Sequence, residues 1–341
     1  MSFVTASSNS KVDHAIRSQR MGFTLIELLV TLGILSILVA LLLPAVLSVR
    51  ESSRQLVCKN NLRQTGLAIQ TFHDANKRLP SLYNGSFEHA GSSIAFPRRY
   101  WDEHHFHSWQ TAILPQLEQT AVYDRIDQTL AASDPLHQPI VNLLLPVFQC
   151  PSTSNYTVFS KVHQYAPNDV IGTAARSDYE AMGGVRLSTT SDENKMVTGT
   201  TVALGVWGLP RQSVPKDGTY AGLETTRFRD VSDGLSNSMV VAEVAGRPDL
   251  YVRGKPDQPY GVGSVGIMRP AWAISGSYHA TLLRKDLGVN VSNSGGIYSF
   301  HTNGVNIGLA DGSVRMLSNA TDIAVLHALT TRAGRETVIL E

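Results

Sequence analysis

An uninterrupted apolar run near the amino terminus constrains this chain more than any other feature of its sequence. From Leu28 to Val49 there is no charged residue. At about 1.5 Å of rise per helical residue, this run reaches roughly 33 Å, which is enough to cross the hydrocarbon core of a bilayer. Glu27 lies at the start of the apolar block, where a carboxylate is costly unless a partner neutralises it. The run predicts one membrane-spanning helix with a functional carboxylate near its amino end.

The residues just before this run resemble the class III signal of type IV prepilins and pseudopilins. A polar leader ends in Gly22, and the letters FTLIE follow from Phe23 to Glu27. The cations of the leader include Lys11, Arg17 and Arg20. The resemblance implies cleavage by a membrane prepilin peptidase between Gly22 and Phe23, N-methylation of Phe23, and a cytoplasmic leader. Cleavage creates an α-ammonium on Phe23, with which Glu27 of the same or a neighbouring helix can pair in an assembly.

Two simpler interpretations of the apolar run compete with this one. An ordinary secretory signal has a shorter apolar region and a small-x-small cleavage site, but residues 44–48, PAVLS, contain no Ala-x-Ala pattern. A plain membrane anchor needs only the length of the run and is the stronger rival. Lys and Arg lie on both sides of the run, so their count does not fix the orientation of the helix.

Composition limits the classes of protein to which the remaining chain can belong. The 341 residues carry a formal charge of +1 and 17% charged side chains, so no basic excess points to nucleic acid as a partner. Gly and Pro are spread along the chain, which favours short strands and turns over a helical bundle. The two cysteines, Cys58 and Cys150, would meet an oxidising compartment if the body is exported. They form a candidate disulfide that the sequence leaves open.

The pattern after the apolar run predicts that the first helix continues into a polar, amphipathic segment. Apolar and small side chains recur there at spacings of three and four. This stripe consists of Cys58, Leu62, Thr65, Ile69 and Phe72. We expect the helix to end within 76–78, because Pro80 disfavours helical backbone just before it. The predicted organisation is a leader at 1–22, a transmembrane helix at 23–49, its extracytoplasmic continuation at 50–78 and a strand-rich domain at 79–341, which together make an α+β, pilin-like fold.

Several motifs in the body resemble the DUF1559 family of prepilin-like proteins, which is abundant in planctomycetes. The motifs are CKNNLRQ at 58–64, FHD at 72–74, HSW at 107–109, LPQLEQ at 114–119, FQCPS at 148–152 and DGLSN at 233–237. The family also carries a carboxy-terminal His-x9-Asp-Gly signature, which corresponds here to His301, Asp311 and Gly312. The resemblance runs from Gly22 to Gly334, and the family has no established biochemical activity that could be expected of this chain.

The carboxy-terminal region predicts a β-hairpin and a final helix. Asp-Gly is favoured in two-residue hairpin loops, because both central residues need positive φ. With 311–312 as the loop, Leu309 pairs with Val314 and Ile307 pairs with Met316, which places four apolar side chains on one face. The pattern of apolar residues at 322–332 predicts a short helix there.

Three groups of residues raise the question of metal binding or catalysis. The segment 101–107, WDEHHFH, places three histidines from His104 to His107 beside two carboxylates, but without the His-Glu-x-x-His spacing of a zinc helix, so we interpret it as a solvated polar loop. We expect His301 to face the core as a structural histidine rather than to act with Asp311. Asp230, Asp233 and Asn237 could offer oxygen ligands to Ca²⁺, but no EF-hand spacing supports this. We predict no catalytic residue, bound metal or cofactor.

The sequence therefore predicts a type IV pilin-like or type II secretion pseudopilin-like subunit. Its expected partners are the prepilin peptidase and methyltransferase, other pilin-like subunits and membrane lipid, without nucleic acid. Its expected location is the inner membrane, as a single-pass protein with an extracytoplasmic body. Two alternatives stay open: an anchored binding or adhesion module that never polymerises, and an exported metalloenzyme that uses the His104 to His107 group.

Overall fold

The computed structural model describes residues 24–82, 107–130, 132, 134–153, 158–160, 173–186, 202–207, 226–258, 271–273 and 281–334. The chain divides into two compact units, Met1–Arg50 and Glu51–Glu341. The helices are α1 at Leu25–Asn76, α2 at Trp109–Ala112, α3 at Thr120–Tyr123, α4 at Gln138–Val141 and α5 at Ile323–Thr330. Short 3-10 turns occur at Pro115–Leu117, Pro135–His137, Pro146–Phe148, Phe228–Asp230 and Leu235–Asn237.

The first unit contains the apolar part of α1. The side chains from Leu25 to Arg50 are exposed throughout. Within the part of the chain that the structure describes, α1 is the one helix long and apolar enough to cross a membrane. Pro44 lies inside this helix, where it removes one backbone hydrogen bond. A helix segment that is apolar on all sides and exposed at every described residue of its unit is typical of a segment that lipid or neighbouring helices surround.

The part of α1 in the second unit packs on the body through the predicted stripe. Cys58, Leu62, Thr65 and Ile69 are buried, and Phe72 is half-buried. The helix ends at Asn76 and Lys77 follows with a φ of 58°, a left-handed residue that closes the last turn before Pro80. The predicted continuation and end of the helix are therefore confirmed.

A six-stranded sheet forms the centre of the second unit. The strands are β1 at Val158–Ser160, β2 at Thr173–Ala175, β3 at Tyr179–Arg186, β4 at Val202–Leu204, β5 at Met239–Glu243, β6 at Leu250–Val252, β7 at Lys255–Gln258, β8 at Thr281–Arg284, β9 at Gly304–Leu309 and β10 at Val314–Ser318. The main sheet has the order β10-β9-β5-β3-β4, and β8 pairs with β3 in parallel. The remaining strands form two separate antiparallel pairs, β1 with β2 and β6 with β7.

The central strands are covered on both faces, so β5 and β9 are buried along their whole length. On one face, Leu62 and Ile69 of α1 join the cluster that contains Val240 and Val241. The side chains on the other face belong to a second cluster: Met239, Ala242, Ile307 and Leu309 from the sheet, with Leu326 and Leu329 from α5. A register shift between Met239 and Val241 explains why neighbouring residues 240 and 241 share one face. The α+β fold is thereby confirmed.

The predicted carboxy-terminal hairpin is present, but the predicted register is wrong by one residue. Val314 pairs with Gly308 and Arg315 pairs with Ile307, rather than Val314 with Leu309. The loop includes Ala310 as well as residues 311–312, because the Gly312 amide donates to the carbonyl of Leu309 at 2.9 Å and Gly312 then adopts a φ of 82°. A type I turn followed by a left-handed glycine is the usual three-residue hairpin loop, and its twist matches that of the strands.

Gly304, at the start of β9, provides a test of how closely the hairpin strands approach. A Cβ atom at this position would overlap the carbonyl oxygen of Leu317 on β10. We expect Gly304→Ala to lower the free energy of unfolding by about 2–4 kcal/mol, because backbone atoms cannot move aside as a side chain can. Denaturant unfolding of the full chain in detergent measures the change. Gly288→Ala is the control, since its Cβ meets only side chains at ordinary contact distances; an equal effect of both variants would contradict the packing argument.

Candidate functional site

The start of α1 holds the first candidate site, and its carboxylate is fixed by a capping box. The backbone amide and the hydroxyl of Thr24 donate to Glu27 Oε2 at 2.9 and 2.8 Å, and the Glu27 amide donates to Thr24 Oγ1 at 3.2 Å. Gly22 and Phe23 lie outside the described residues. Glu27 therefore lies one helical turn beyond the predicted cleavage point, and its carboxylate is hydrogen-bonded to Thr24, the first described residue. The letters TLIE contain the capping-box pattern, which was available in the sequence.

The second candidate site is a buried group of four side chains around His301. Its members are Cys58 from α1, Cys150 from the segment after the Pro146–Phe148 turn, Glu243 at the end of β5 and His301 before β9. One sulfur, oxygen or nitrogen atom from each of them lies within 4.8 Å of every other. All four side chains are buried, and we call them the buried cluster. The fold brings together residues that lie up to 243 positions apart in the sequence.

His301 lies between two carboxylates. Its Nδ1 is 2.7 Å from Glu51 Oε1, and its Nε2 is 3.4 Å from Glu243 Oε1 and 3.6 Å from Cys150 Sγ. Burial lowers the pKa of His301, but hydrogen bonds to Cys150 and Glu243 and the charge of Glu243 outweigh burial and raise that pKa to about 11. At neutral pH His301 is therefore an imidazolium that compensates a buried negative charge.

Both carboxylates have further partners that hold them in place. Asn306 on β9 donates its backbone amide to Glu243 Oε2 at 2.8 Å, and its side-chain amide lies 3.2 Å from both oxygens. Ser152 Oγ donates to Glu51 Oε1 at 3.0 Å. Burial raises the pKa of Glu51, but its bonds to His301 and Ser152 outweigh that effect and lower it. Glu51, His301 and Glu243 thus form an ion triad. The two thiols of the buried cluster lie beside it.

The two cysteines are in direct contact. Cys58 Sγ and Cys150 Sγ are 2.6 Å apart, and both residues have thiol side chains in this structure. Contact with Cys150 and burial of the thiol both raise the pKa of Cys58. The structure therefore brings together the two residues of the candidate disulfide, and the bond itself stays a prediction.

Polar side chains fix the segment that carries Cys150. The Cys150 amide donates to Asp178 Oδ2 at 2.7 Å, and Asn61 of α1 donates to the carbonyls of Pro146 and Gln149, both at 3.0 Å. Burial raises the pKa of the Asp178 carboxyl to about 6 even though Arg176 lowers it. These bonds hold the Cys150 segment against α1 independently of the two sulfur atoms.

Among the described residues, the other candidates do not assemble into a site with His301. The Asp311 carboxylate accepts from the amide and hydroxyl of Ser313 at 2.9 and 2.6 Å, within the hairpin turn. His104 lies outside the described residues, as do positions 105 and 106. The interpretation of His107 as a solvated residue is wrong, because it is buried with its Nε2 3.0 Å from the Leu130 carbonyl oxygen and its ring beside His137.

The side chains considered for calcium make hydrogen bonds within the protein, in which the two aspartates accept and Asn237 donates. Asp230 Oδ2 accepts from the Arg227 amide at 2.8 Å, and Asp233 Oδ2 accepts from the Gly334 amide at 2.7 Å. Asn237 donates its side-chain amide to the Asp233 carbonyl at 3.4 Å. The Arg227–Asp230 and Asp233–Asn237 contacts close local turns, as Asp and Asn side chains commonly do, whereas the Asp233–Gly334 contact joins segments that are distant in the sequence.

An apolar first helix, a methylation motif and a strand-rich body define a prepilin-like protein. The prokaryotic N-terminal methylation motif matches residues 17–43, and the family model described as protein of unknown function DUF1559 matches residues 47–324. The chain belongs to the DUF1559 family and is a membrane-anchored protein, and its described residues contain one candidate membrane span, α1.

One curated relative supports the prepilin-like class. Over 69 residues the chain is 36% identical to "Type II secretion system core protein G" of Pseudomonas aeruginosa. The aligned region covers 20% of this chain and 49% of that protein. The chain thus spans about half the length of this relative. No solved structure matches the chain.

Proposed function

We propose that the chain is a structural subunit of a type IV pilus or a type II secretion-like pseudopilus. The observation that carries this proposal is the coincidence of the methylation motif at 17–43 with the capping box of Thr24 and Glu27. The similarity to a type II secretion core protein supports the same class. The prepilin peptidase cleaves between Gly22 and Phe23, and its methyltransferase activity adds a methyl group to the new terminus.

Assembly takes place through the apolar part of α1. Large side chains from Leu25 to Val49 are exposed, including Leu41 at 69%. Before assembly, membrane lipid covers them; in a filament, the helices of neighbouring subunits cover them instead. Glu27 then pairs with the α-ammonium of Phe23 on its own or a neighbouring helix, because a carboxylate among packed apolar helices needs a cation.

The body has the role of an extracytoplasmic structural domain in this proposal. The leader lies in the cytoplasm, α1 crosses the inner membrane, and residues after Arg50 are exported. We assign no catalytic role and no metal to the body, because each charged group of the buried cluster has a partner within the cluster or next to it.

The mass of the N-terminal peptide tests the processing step. Trypsin treatment of membranes from the native host is expected to release a peptide from Phe23 to Arg50 that carries one added methyl group. Gly22→Leu is expected to abolish this product, because a bulky side chain then precedes the scissile bond. Gly33→Ala is the matched control, since its added Cβ meets nothing within 4 Å in the structure, and it is expected to be processed normally.

Two results would contradict the proposal. An intact leader on the wild-type chain would show that the prepilin peptidase does not act on it, and would favour a plain membrane anchor. A terminus well beyond Pro44 would instead indicate cleavage by a secretory signal peptidase and release of the body.

A further inference from the structure

Cys58 of α1 and Cys150 of the body lie in direct contact, and the proposed assembly role does not require this contact. Cys58 lies on the buried stripe of α1, and Cys150 lies in a segment that Asn61 and Asp178 hold against it. The two sulfur atoms face each other at 2.6 Å, although the residues are 92 positions apart in the sequence. The given sequence contains two cysteines, so each has the other as its one candidate for an intramolecular disulfide.

We propose that Cys58 and Cys150 form a disulfide that joins the second-unit part of α1 covalently to the body. This inference rests on the export of the body in the proposed function, because disulfides form and persist in oxidising compartments. The two thiols lose two protons and two electrons as the Sγ–Sγ bond forms. A disulfide of an extracytoplasmic oxidoreductase or of oxidised glutathione accepts the electrons and leaves as two thiols.

The geometry favours a disulfide over a metal ion held by the buried cluster. Two thiolates that bind one tetrahedral zinc ion, each at about 2.3 Å, are roughly 3.7 Å apart. The thiols in this structure are more than 1 Å closer than that. In addition, Glu243 already accepts from Asn306 with both oxygens, and both ring nitrogens of His301 face carboxylates. The carboxylates and His301 thus have hydrogen-bond partners within the protein, and the nearest of these atoms to each sulfur is the other sulfur.

The position of the bond indicates what it does for the body. Residues 58 and 150 close a long loop, and cross-links that close long loops restrict the unfolded chain most strongly. The bond also lies beside the contact between Glu51 and His301, and therefore keeps α1 in place where the triad needs it. We infer that the disulfide prevents the second-unit part of α1 from separating from the sheet outside the membrane.

Peptide mapping of the full chain provides the test. Chain purified in detergent from membranes of an exporting host is alkylated without reduction and digested with trypsin. The expected product is peptide 55–59, QLVCK, linked to peptide 126–161, with both peptides appearing separately after reduction. Bound zinc is measured on the same sample. If both cysteines of the processed chain are alkylated without reduction, the disulfide proposal is overturned, whether or not one zinc ion per chain is bound.

The same digest separates failure of this inference from failure of the proposed function. Methylated Phe23 peptide without the cross-link contradicts the disulfide alone, whereas an intact leader contradicts processing. In the second case, oxidation of the purified chain by a mixture of oxidised and reduced glutathione decides the inference. We expect the link between 55–59 and 126–161 to form there, and two free thiols after this treatment would overturn it.

Protease sensitivity tests the role of the bond in holding α1. Reduction of the wild-type chain is expected to accelerate tryptic cleavage at Arg54, Lys59 and Arg63 by about tenfold or more, because the helix then opens more often from the sheet. The double variant Cys58→Ser, Cys150→Ser is the control, and its cleavage rate is expected not to change on reduction. Equal rates for oxidised and reduced wild-type chain would contradict the proposed role.

Discussion

Replacement of Glu27 by alanine is expected to leave cleavage after Gly22 intact and to reduce incorporation of the chain into filaments by about tenfold to a hundredfold. The carboxylate follows the scissile bond by one helical turn, so the peptidase can act without it. Hydrogen bonds to charged groups contribute about 1.5–3 kcal/mol, and each 1.4 kcal/mol corresponds to roughly a factor of ten. The amount of subunit in sheared filaments, relative to the membrane pool, measures the effect.

Three further variants distinguish the charge of Glu27 from its capping role. Glu27→Gln keeps an acceptor for Thr24 but loses the charge, so we expect an assembly defect close to that of Glu27→Ala. Thr24→Ala removes the cap, which costs about 0.5–2 kcal/mol of helix stability, and leaves the charge in place. Ser36→Ala removes another hydroxyl of the same helix, which bonds its own backbone, and serves as the control.

The outcome of these variants decides between assembly and simple anchoring. Incorporation of Glu27→Ala at the wild-type level would show that the carboxylate has no assembly partner. A defect in Thr24→Ala as large as that in Glu27→Ala would assign the effect to the helix start rather than to the charge. An anchored module that never polymerises predicts no filament fraction for the wild-type chain.

The parts of the fold that follow local patterns could be predicted from the sequence. The apolar stripe of α1 and its end before Pro80 depend on helical spacing and on proline sterics, and the structure confirms both. Asp322 caps α5 as its position before an apolar run suggests. The register of the β9–β10 hairpin could not be fixed in this way, because Asp-Gly suits both the two-residue loop and the observed loop that also includes Ala310.

The buried cluster depends on long-range packing and was only partly visible in the sequence. His301 and the two cysteines stood out as residue types, but Glu51 and Glu243 did not, because each carboxylate acquires its partner only when α1, β5 and the segment before β9 meet. One local signal existed for Glu243. Glu243 is the last residue of β5, MVVAE, whose other residues are apolar, and a carboxylate buried at such a position needs a cation.

Replacement of His301 by alanine is expected to lower the free energy of unfolding of the body by about 3–5 kcal/mol. The change removes the cation between Glu51 and Glu243, and Glu243, with no exposed surface, is left as a buried charge without its counter-ion. Pulse proteolysis of the full chain in detergent across a urea series measures the effect. Glu51→Gln is expected to cost less, because the Glu51 side chain is 27% exposed and water partly replaces its partner.

The pH dependence of stability follows from the raised pKa of His301. In the folded chain the pKa of His301 is about 11, whereas an unfolded histidine has a pKa of about 6.5. The extra stability is therefore complete below a pH of about 6.5 and declines as pH rises toward 11, because the native state binds more protons there. In His301→Gln this part of the decline is expected to disappear, and the difference between the two profiles isolates the contribution of His301.

A double-mutant cycle tests whether the effect of His301 arises from the charge of Glu243. Glu243→Gln removes the buried charge but keeps an acceptor for Asn306, so the loss of His301 should cost less in its presence than in the wild-type chain. Additive losses in the double variant would show that the two residues contribute independently. Because the Cys150 thiol contributes to the raised pKa of His301, the cycle and the pH profiles are both measured with reduced chain. A pH profile of His301→Gln identical to that of the wild-type chain would contradict the ion triad.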